Sequence, residues 1–165
     1  MKIKLYPESV LRKKAKDITH EDIDKLSRAM LTSMIVNHGV GLAGPQVGIS
    51  KNIAVISPQA SPRLDSPLVL INPQIIESSG ESAAEEGCLS VYGVTGEVQR
   101  SAHVVIETGL PGRREIIEAD GLLATVIQHE VDHLNGILFP DRMAFPKRTW
   151  KLFKSRIKRK KDGKN

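Results

Sequence analysis

One apolar helix carrying two histidines constrains the fold of this 165-residue chain more than any other segment. Residues 121–135 read GLLATVIQHEVDHLN, and Gly136 follows as a stop signal. The apolar residues on either side of the histidines should bury this helix, so the rest of the chain must pack around it. His129 and His133 are four residues apart, which places both rings on one face with Cβ atoms about 5–6 Å apart. Because unpartnered buried histidines are costly, the spacing predicts one shared metal ion rather than a charged surface helix.

A metal held by two histidines needs a third protein ligand, and a catalytic metal also keeps one position for water. The longer pattern H-E-x-x-H-x-x-G-x-x-H ends here at Phe139, which cannot bind a metal. After His133 the chain contains no Glu, His or Cys, so the ligand is expected upstream. Cys88, the single cysteine, is the leading candidate because thiolate is a strong ligand, although a small buried apolar role is the alternative. Weaker candidates are His20, His38 and His103.

The remaining segments predict an α+β domain. The predicted elements are a helix over 20–38, strands over 52–57 and 68–72, a hairpin of strands 97–108 and 114–119 around Pro111–Gly112, and a helix over 146–161. A loop rich in glycine, 39–48, follows the first helix. It contains G-x-G-x-x-G, but a helix precedes it and Pro45 disfavours a helix after it, so we reject a dinucleotide site. Gln46 in this loop could donate to an oxyanion, or it could be structural.

Charge is concentrated at the end of the chain. Residues 147–165 hold ten of the 24 Lys+Arg and one of the 19 Asp+Glu, which leaves 1–146 with a net charge of −4. We predict that 1–146 form the catalytic part and that 147–165 form a basic helical tail of the same domain. The tail either binds a polyanion or is merely solvated while Trp150, Phe153 and Ile157 pack on the domain. No apolar run approaches the roughly 20 residues of a membrane span, so no membrane partner is expected.

Three separated motifs resemble those of the peptide deformylase family. The family's G-x-G-L-A-A-x-Q is similar to Gly39–Gln46, its E-G-C-L-S matches Glu86–Ser90, and its Q-H-E-x-D-H matches Gln128–His133. The opening segment 6–16 is also similar, so the resemblance spans nearly the whole chain in the family's order. Two positions depart from the family pattern: Gly44 replaces a usual alanine, and Tyr92 replaces a common proline.

The resemblance implies a fold and a role for each site residue. It implies antiparallel β-sheets packed around a central metal-binding helix, with an N-terminal helix and a C-terminal helix. Cys88, His129 and His133 would bind the metal, and Glu130 would be the general acid/base. Gln46 and the backbone N–H of Leu89 would stabilise the oxyanion, and Val40, Gly41 and Gly87 would bind substrate as an added strand. Glu86 and Arg100 would form an ion pair behind the cysteine loop.

The resemblance also implies the reaction, the metal and the partners. The expected enzyme is a metal-dependent amide hydrolase that removes the formyl group from the N-terminal formyl-methionine of nascent polypeptides and releases formate. Ligand statistics suggest zinc, whereas the resemblance implies Fe²⁺ physiologically, with Zn²⁺, Ni²⁺ or Co²⁺ able to replace it. The basic tail fits a ribosome partner. Because the family-like segment begins almost at Met1, a bacterial-type cytoplasmic protein is expected; a trimmed organellar protein would look the same.

Two other functions are compatible with the histidine helix. A metallopeptidase would cleave internal peptide bonds, and the missing downstream ligand counts against it. An idle metal protein that binds ribosome or RNA through its tail is the second alternative, and the presence of Glu130 counts against it. Formate release from a formyl-methionyl peptide distinguishes the three.

Overall fold

A computed structural model describes residues 1–19, 23–143 and 153. Its α-helices are α1 (Ile23–Val36), α2 (Gly121–Leu134) and α3 (Phe139–Arg142). Its strands are β1 (Gly41–Ala43), β2 (Ile53–Ile56), β3 (Leu68–Ile71), β4 (Gln74–Ser79), β5 (Ser82–Gly87), β6 (Thr95–Arg100), β7 (His103–Leu110) and β8 (Arg113–Asp120). The strands form two three-stranded sheets, β1-β2-β3 and β4-β7-β8, and the two-stranded ribbon β5-β6, with antiparallel pairing throughout.

Helix α2 lies in the centre of the domain, between the two three-stranded sheets. Its Ala124 and Ile127 are fully buried and belong to one apolar cluster with Ala54 and Leu70 of the first sheet and Ile106 of the second. Burial of a large aliphatic side chain such as that of Ile127 contributes about 1.5–3 kcal/mol relative to exposure, which explains why the apolar flanks of the histidines hold this helix inside. The predicted α+β fold with antiparallel sheets around a central helix is confirmed.

The prediction of a single strand over 97–108 is wrong, because the chain changes sheets in its middle. Strand β6 pairs with β5, whereas β7, after a break at 101–102, is the middle strand of the second three-stranded sheet. The side chain of Gln128 on α2 occupies the break: its Oε1 accepts the N–H of Ser101 at 3.0 Å, and its Nε2 donates to the Ser101 carbonyl at 2.9 Å. These two bonds satisfy the Ser101 backbone without a neighbouring strand, so the β-branched run is interrupted here.

Other predicted elements agree with the structure in place and differ at their ends. Strands β2 and β3 occupy the predicted 52–57 and 68–72, and Pro111–Gly112 joins β7 to β8. The first predicted helix runs from Ile23 within the described residues. Of the predicted basic helix over 146–161, the structure describes one residue, Phe153, which packs against a cluster that contains Val91, Val94 and Phe139. The rest of that prediction lies outside the described residues. No helix in the described part of the chain is long and apolar enough to cross a membrane.

Asn72, just after β3, fastens the N-terminal segment to the sheets. Its φ is +47° and its side chain is buried. Its Oδ1 accepts the N–H of Ile18 at 2.8 Å, and its Nδ2 donates to the Ile18 carbonyl at 2.9 Å. The Asn72 amide therefore satisfies both backbone groups of Ile18 where the N-terminal segment passes the sheet.

We expect Asn72→Ala to lower the free energy of unfolding by about 2–4 kcal/mol, because two buried backbone groups lose their partners and alanine tolerates the left-handed conformation poorly. Urea denaturation of the metal-loaded protein measures this loss. Asn37→Ala is the matched control, because exposed Asn37 makes one local bond to Ser33 and should cost less than about 1 kcal/mol. Equal losses in the two variants would contradict the role given to Asn72.

Candidate metal centre

Three ligand atoms from separate parts of the chain meet beside α2. Cys88 Sγ lies 3.1 Å from His133 Nε2, which in turn lies 3.2 Å from His129 Nε2. All three atoms are within 4.8 Å of one another, and they form the one such group found in the described part of the chain. One sulfur and two imidazole nitrogens are the donor set of a catalytic divalent metal site with a further position for water or substrate. The residues therefore fit a divalent ion.

The ring of His129 is oriented by a buried carboxylate. Its Nδ1 lies 2.8 Å from Glu86 Oε2, which leaves Nε2 to face the other two ligand atoms. Burial alone would lower the pKa of His129, but the Cys88 sulfur and the Glu86 carboxylate together raise it well above its ordinary value. Burial would raise the pKa of Glu86, yet its bonds to His129 and Arg100 outweigh burial and lower it to about 2. A carboxylate behind a histidine fixes the ring's tautomer and makes it a stronger ligand.

Arg100 joins this carboxylate to a second one. Its Nε and Nη2 donate to the two oxygens of Glu86 at 2.6 and 3.0 Å, and its Nη1 donates to Asp132 Oδ2 at 2.7 Å. An acid at position 132, one residue before His133, could either orient a ligand residue or form a salt bridge at the surface of the helix. The structure buries Asp132 to 5% exposure, which removes the surface interpretation.

Glu130 is buried on the groove side of α2, next to bare backbone. It is 2% exposed, its Oε2 has no hydrogen-bond partner among the described residues, and a Cβ added at Gly41 would collide with its carboxylate. Burial raises its pKa to about 7, and the charge of Glu86 adds to this, against the opposing charges of His129 and Arg100. A carboxyl group with a pKa near neutrality can both accept and release a proton, as a general acid/base must.

The glycine-rich segment holds Gln46 against the ligand group. Gln46 Nε2 lies 3.5 Å from Cys88 Sγ, while its Oε1 accepts the N–H of Ala43 at 2.7 Å, so the amide is fixed with its donor toward the ligands. Gly44, which replaces the alanine of the family pattern, is tightly surrounded. A Cβ there would lie 2.7 Å from the Lys51 carbonyl oxygen and 2.8 Å from that of Ile49.

A cavity of about 790 Å³ opens onto this group. Its lining includes the predicted substrate and oxyanion residues Val40, Gly41, Gln46, Gly87 and Leu89, together with Cys88, His129 and Glu130. Leu122 and Tyr92 stand exposed at its rim. The cavity lies between β1 and the end of β5, so an extended peptide could lie between two backbone segments.

The family model for polypeptide deformylase matches residues 1–149 of the chain. The chain belongs to this family. A peptide deformylase from Thermodesulfovibrio yellowstonii is 44% identical over 165 residues, covering 98% of each chain. The crystal structure of peptide deformylase from Plasmodium falciparum superposes with a TM-score of 0.87 at 33% identity, covering 98% of each chain. A Met-Ala-Ser-bound class I type b peptide deformylase from Acinetobacter baumannii superposes with a TM-score of 0.79 at 34% identity, covering 87% of this chain and 98% of that one.

The deformylase family is one of metal-dependent amide hydrolases that remove the N-terminal formyl group from nascent polypeptides. The family and fold implied by the sequence motifs are thus confirmed. One member of the site that the sequence did not reveal is Arg142, which binds Asp132 through two hydrogen bonds. No spacing rule joins these residues, because a turn at Gly136 and the start of α3 separate them.

Proposed function

We propose that this chain hydrolyses the formyl amide of N-formyl-methionyl peptides at the site formed by Cys88, His129 and His133. The convergence of these three ligand atoms beside buried Glu130, at the wall of a peptide-sized groove, carries the proposal. The Met-Ala-Ser-bound relative from Acinetobacter baumannii supports it, because a peptide beginning with methionine is what remains after formate has left.

Cys88, His129 and His133 would hold one divalent ion. Such an ion, when bound, polarises a carbonyl group and lowers the pKa of water. Thiolate and imidazole are ligands that several divalent transition metals share, so the donor set alone does not choose among them. We propose Fe²⁺ as the physiological ion, on the family resemblance, with Zn²⁺, Ni²⁺ or Co²⁺ able to replace it.

Glu130 would move the proton of the reaction. With a pKa near 7, its carboxylate can take a proton from the attacking water and pass it to the leaving nitrogen. The Nε2 of Gln46 and the backbone N–H of Leu89 would donate to the oxygen on which negative charge develops. Loss of one such donor costs about 3–4 kcal/mol of barrier. Gln46 is well suited because its carbonyl end is already bound to Ala43, so little ordering remains.

Backbone groups along the groove would hold the substrate. We propose that Val40, Gly41 and Gly87 bind the peptide as an added strand, since β1 and the end of β5 both border the groove. Glycine at position 41 allows the substrate to lie against Glu130, because any side chain there would occupy the space of the carboxylate.

Formate release from formyl-Met-Ala-Ser tests the reaction, with acetyl-Met-Ala-Ser as the matched substrate. We expect stoichiometric formate and Met-Ala-Ser from the first peptide. A metallopeptidase would instead give fragments cut between methionine and alanine or alanine and serine, without formate. That product pattern would overturn the proposal.

We also propose that the basic tail, residues 147–165, attaches the enzyme to the ribosome in a bacterial-type cytoplasm. Ten Lys and Arg residues against one Asp suit RNA phosphates, and attraction of this kind weakens with salt. Phe153 packs against the domain, so packing and charge must be tested separately.

Replacement of Lys158, Arg159 and Lys160 by glutamine should weaken ribosome binding at least tenfold at low salt and leave the melting temperature unchanged. Phe153→Ala is the matched variant: it keeps every charge and should lower the melting temperature. Co-sedimentation with ribosomes and thermal denaturation measure the two effects. Unchanged ribosome affinity in the glutamine variant would end the docking hypothesis.

A further inference from the structure

We propose that Arg142 is a positioning residue for the metal ligand His129, acting through Asp132, Arg100 and Glu86. The inference rests on the proposed metal site and extends it to α3, a helix that contributes no ligand. Arg142 is the last residue of α3 and its side chain is 47% exposed, so sequence alone would assign it to the solvated surface.

A continuous series of ion pairs links Arg142 to the ligand. Arg142 holds both oxygens of Asp132, with Nη2 at 2.6 Å from Oδ1 and Nε at 3.0 Å from Oδ2. Asp132 Oδ2 also accepts Arg100 Nη1 at 2.7 Å. Arg100 then grips both oxygens of Glu86, and Glu86 Oε2 meets His129 Nδ1 at 2.8 Å.

The series is sensitive at Asp132, which is buried and shared by two arginines. Without Arg142, one buried carboxylate oxygen loses its donor, and Arg100 is the one described arginine left to pair with both Asp132 and Glu86. A buried carboxylate with too few donors is costly, so Arg100 is drawn toward Asp132 and its two-point grip on Glu86 loosens. His129 then loses part of the contact that orients its ring.

Arg142 has no direct access to the substrate groove. It lines a separate cavity of about 500 Å³ on the other side of α2, together with Arg100, Gln128 and Asp132. Changes at Arg142 therefore reach the chemistry through the helix and its ion pairs. A purely structural arginine would lower stability without changing how fast the metal leaves.

The test compares Arg142→Ala, Arg142→Lys and the control Arg114→Ala in the full chain loaded with Co²⁺. Arg114 pairs with Glu107 at 3.1 Å and donates to the Asn72 carbonyl at 3.0 Å, so its loss also removes an ion pair and a backbone bond. Arg114 lines neither of the two cavities and takes no part in the ion pairs that reach His129. The readouts are the rate of Co²⁺ release to a chelator, the visible absorption spectrum of the bound Co²⁺, and the separate values of kcat and KM.

We expect Arg142→Ala to release Co²⁺ about three- to tenfold faster than wild type, below the roughly 10–100-fold effects on affinity seen when a direct outer partner of a ligand is lost. The absorption spectrum should shift, kcat should fall and KM should stay the same. Arg142→Lys keeps the charge without the two-point contact, so its rate of Co²⁺ release should lie between those of wild type and Arg142→Ala. Arg114→Ala should match wild type in every metal readout.

A second comparison tests the route. In an Asp132→Asn background, Arg142→Ala should change the release rate less than it does in wild type, because the two residues act in series. An effect of full size in that background would overturn the route through Asp132. Equal rates of Co²⁺ release from Arg142→Ala and Arg114→Ala would overturn the inference while leaving the proposed function intact. Failure of the wild-type chain to bind one Co²⁺ would overturn both.

Discussion

Replacement of Glu130 by glutamine should lower formate release by about 10²–10⁴-fold while the protein still binds one metal ion. Glutamine has nearly the size of glutamate, so the packing against Gly41 and α2 remains. It cannot take a proton from water, which is the role given to this carboxylate. Single-turnover formate release and metal analysis of the same sample measure the two properties.

The control for this substitution is Glu97→Gln, the same chemical change on the exposed side of β6. It should leave turnover and metal content unchanged. Glu130→Gln with turnover within tenfold of wild type would refute the acid/base role. Loss of metal together with turnover would instead place Glu130 among the groups that hold the ion.

The second large effect is expected at Cys88. Cys88→Ser should lose the metal to a chelator under conditions where wild type keeps it, and formate release should disappear with the metal. A hydroxyl is a much poorer ligand than a thiolate for transition metals, so the loss should exceed the roughly 10–100-fold effect of removing an outer partner. Competition with a chromogenic chelator measures the affinity.

Ser90→Ala is the matched control in the same loop. The Ser90 hydroxyl is buried and has no hydrogen-bond partner among the described residues, so its removal should leave the metal in place. Similar affinities for wild type and Cys88→Ser would contradict sulfur ligation and favour the interpretation of Cys88 as a small core residue.

The two histidines of the ligand group could be predicted from the sequence because their arrangement depends on local helix geometry. His129 and His133 share a face by helical spacing alone, and the apolar flanks determine that this face is inside. Cys88 was predicted as the third ligand only by elimination, because helical spacing cannot place a residue that lies about forty positions before His129. The family motifs supplied what spacing could not, including the Glu86–Arg100 pair.

Elements without an apolar pattern could not be predicted in this way. Strand β4 (Gln74–Ser79) is exposed at every position, and β5 (Ser82–Gly87) is mostly polar or small, so neither carries the alternation typical of a half-buried strand. Both strands form through backbone hydrogen bonds to a neighbouring strand: β4 pairs with β7, and β5 pairs with β6. The break at Ser101 depends on Gln128, a contact between distant segments that no local pattern encodes.

The ion pairs behind the ligand residues could not be predicted from local sequence either. Asp132 lies one residue before His133 in the last turn of α2, where an acid on a helix surface would be unremarkable. Its burial follows from the arrival of Arg100 on β6 and Arg142 on α3, two residues from separate elements. Charged residues become informative about a site only once the fold has brought them together.

X-ray absorption spectroscopy of the zinc-loaded protein tests the central claim most directly, because it counts the atoms bound to the ion. The account predicts one sulfur at about 2.3 Å and two imidazole nitrogens at about 2.0–2.1 Å. A metal surrounded only by oxygen and nitrogen, with no sulfur, would contradict it.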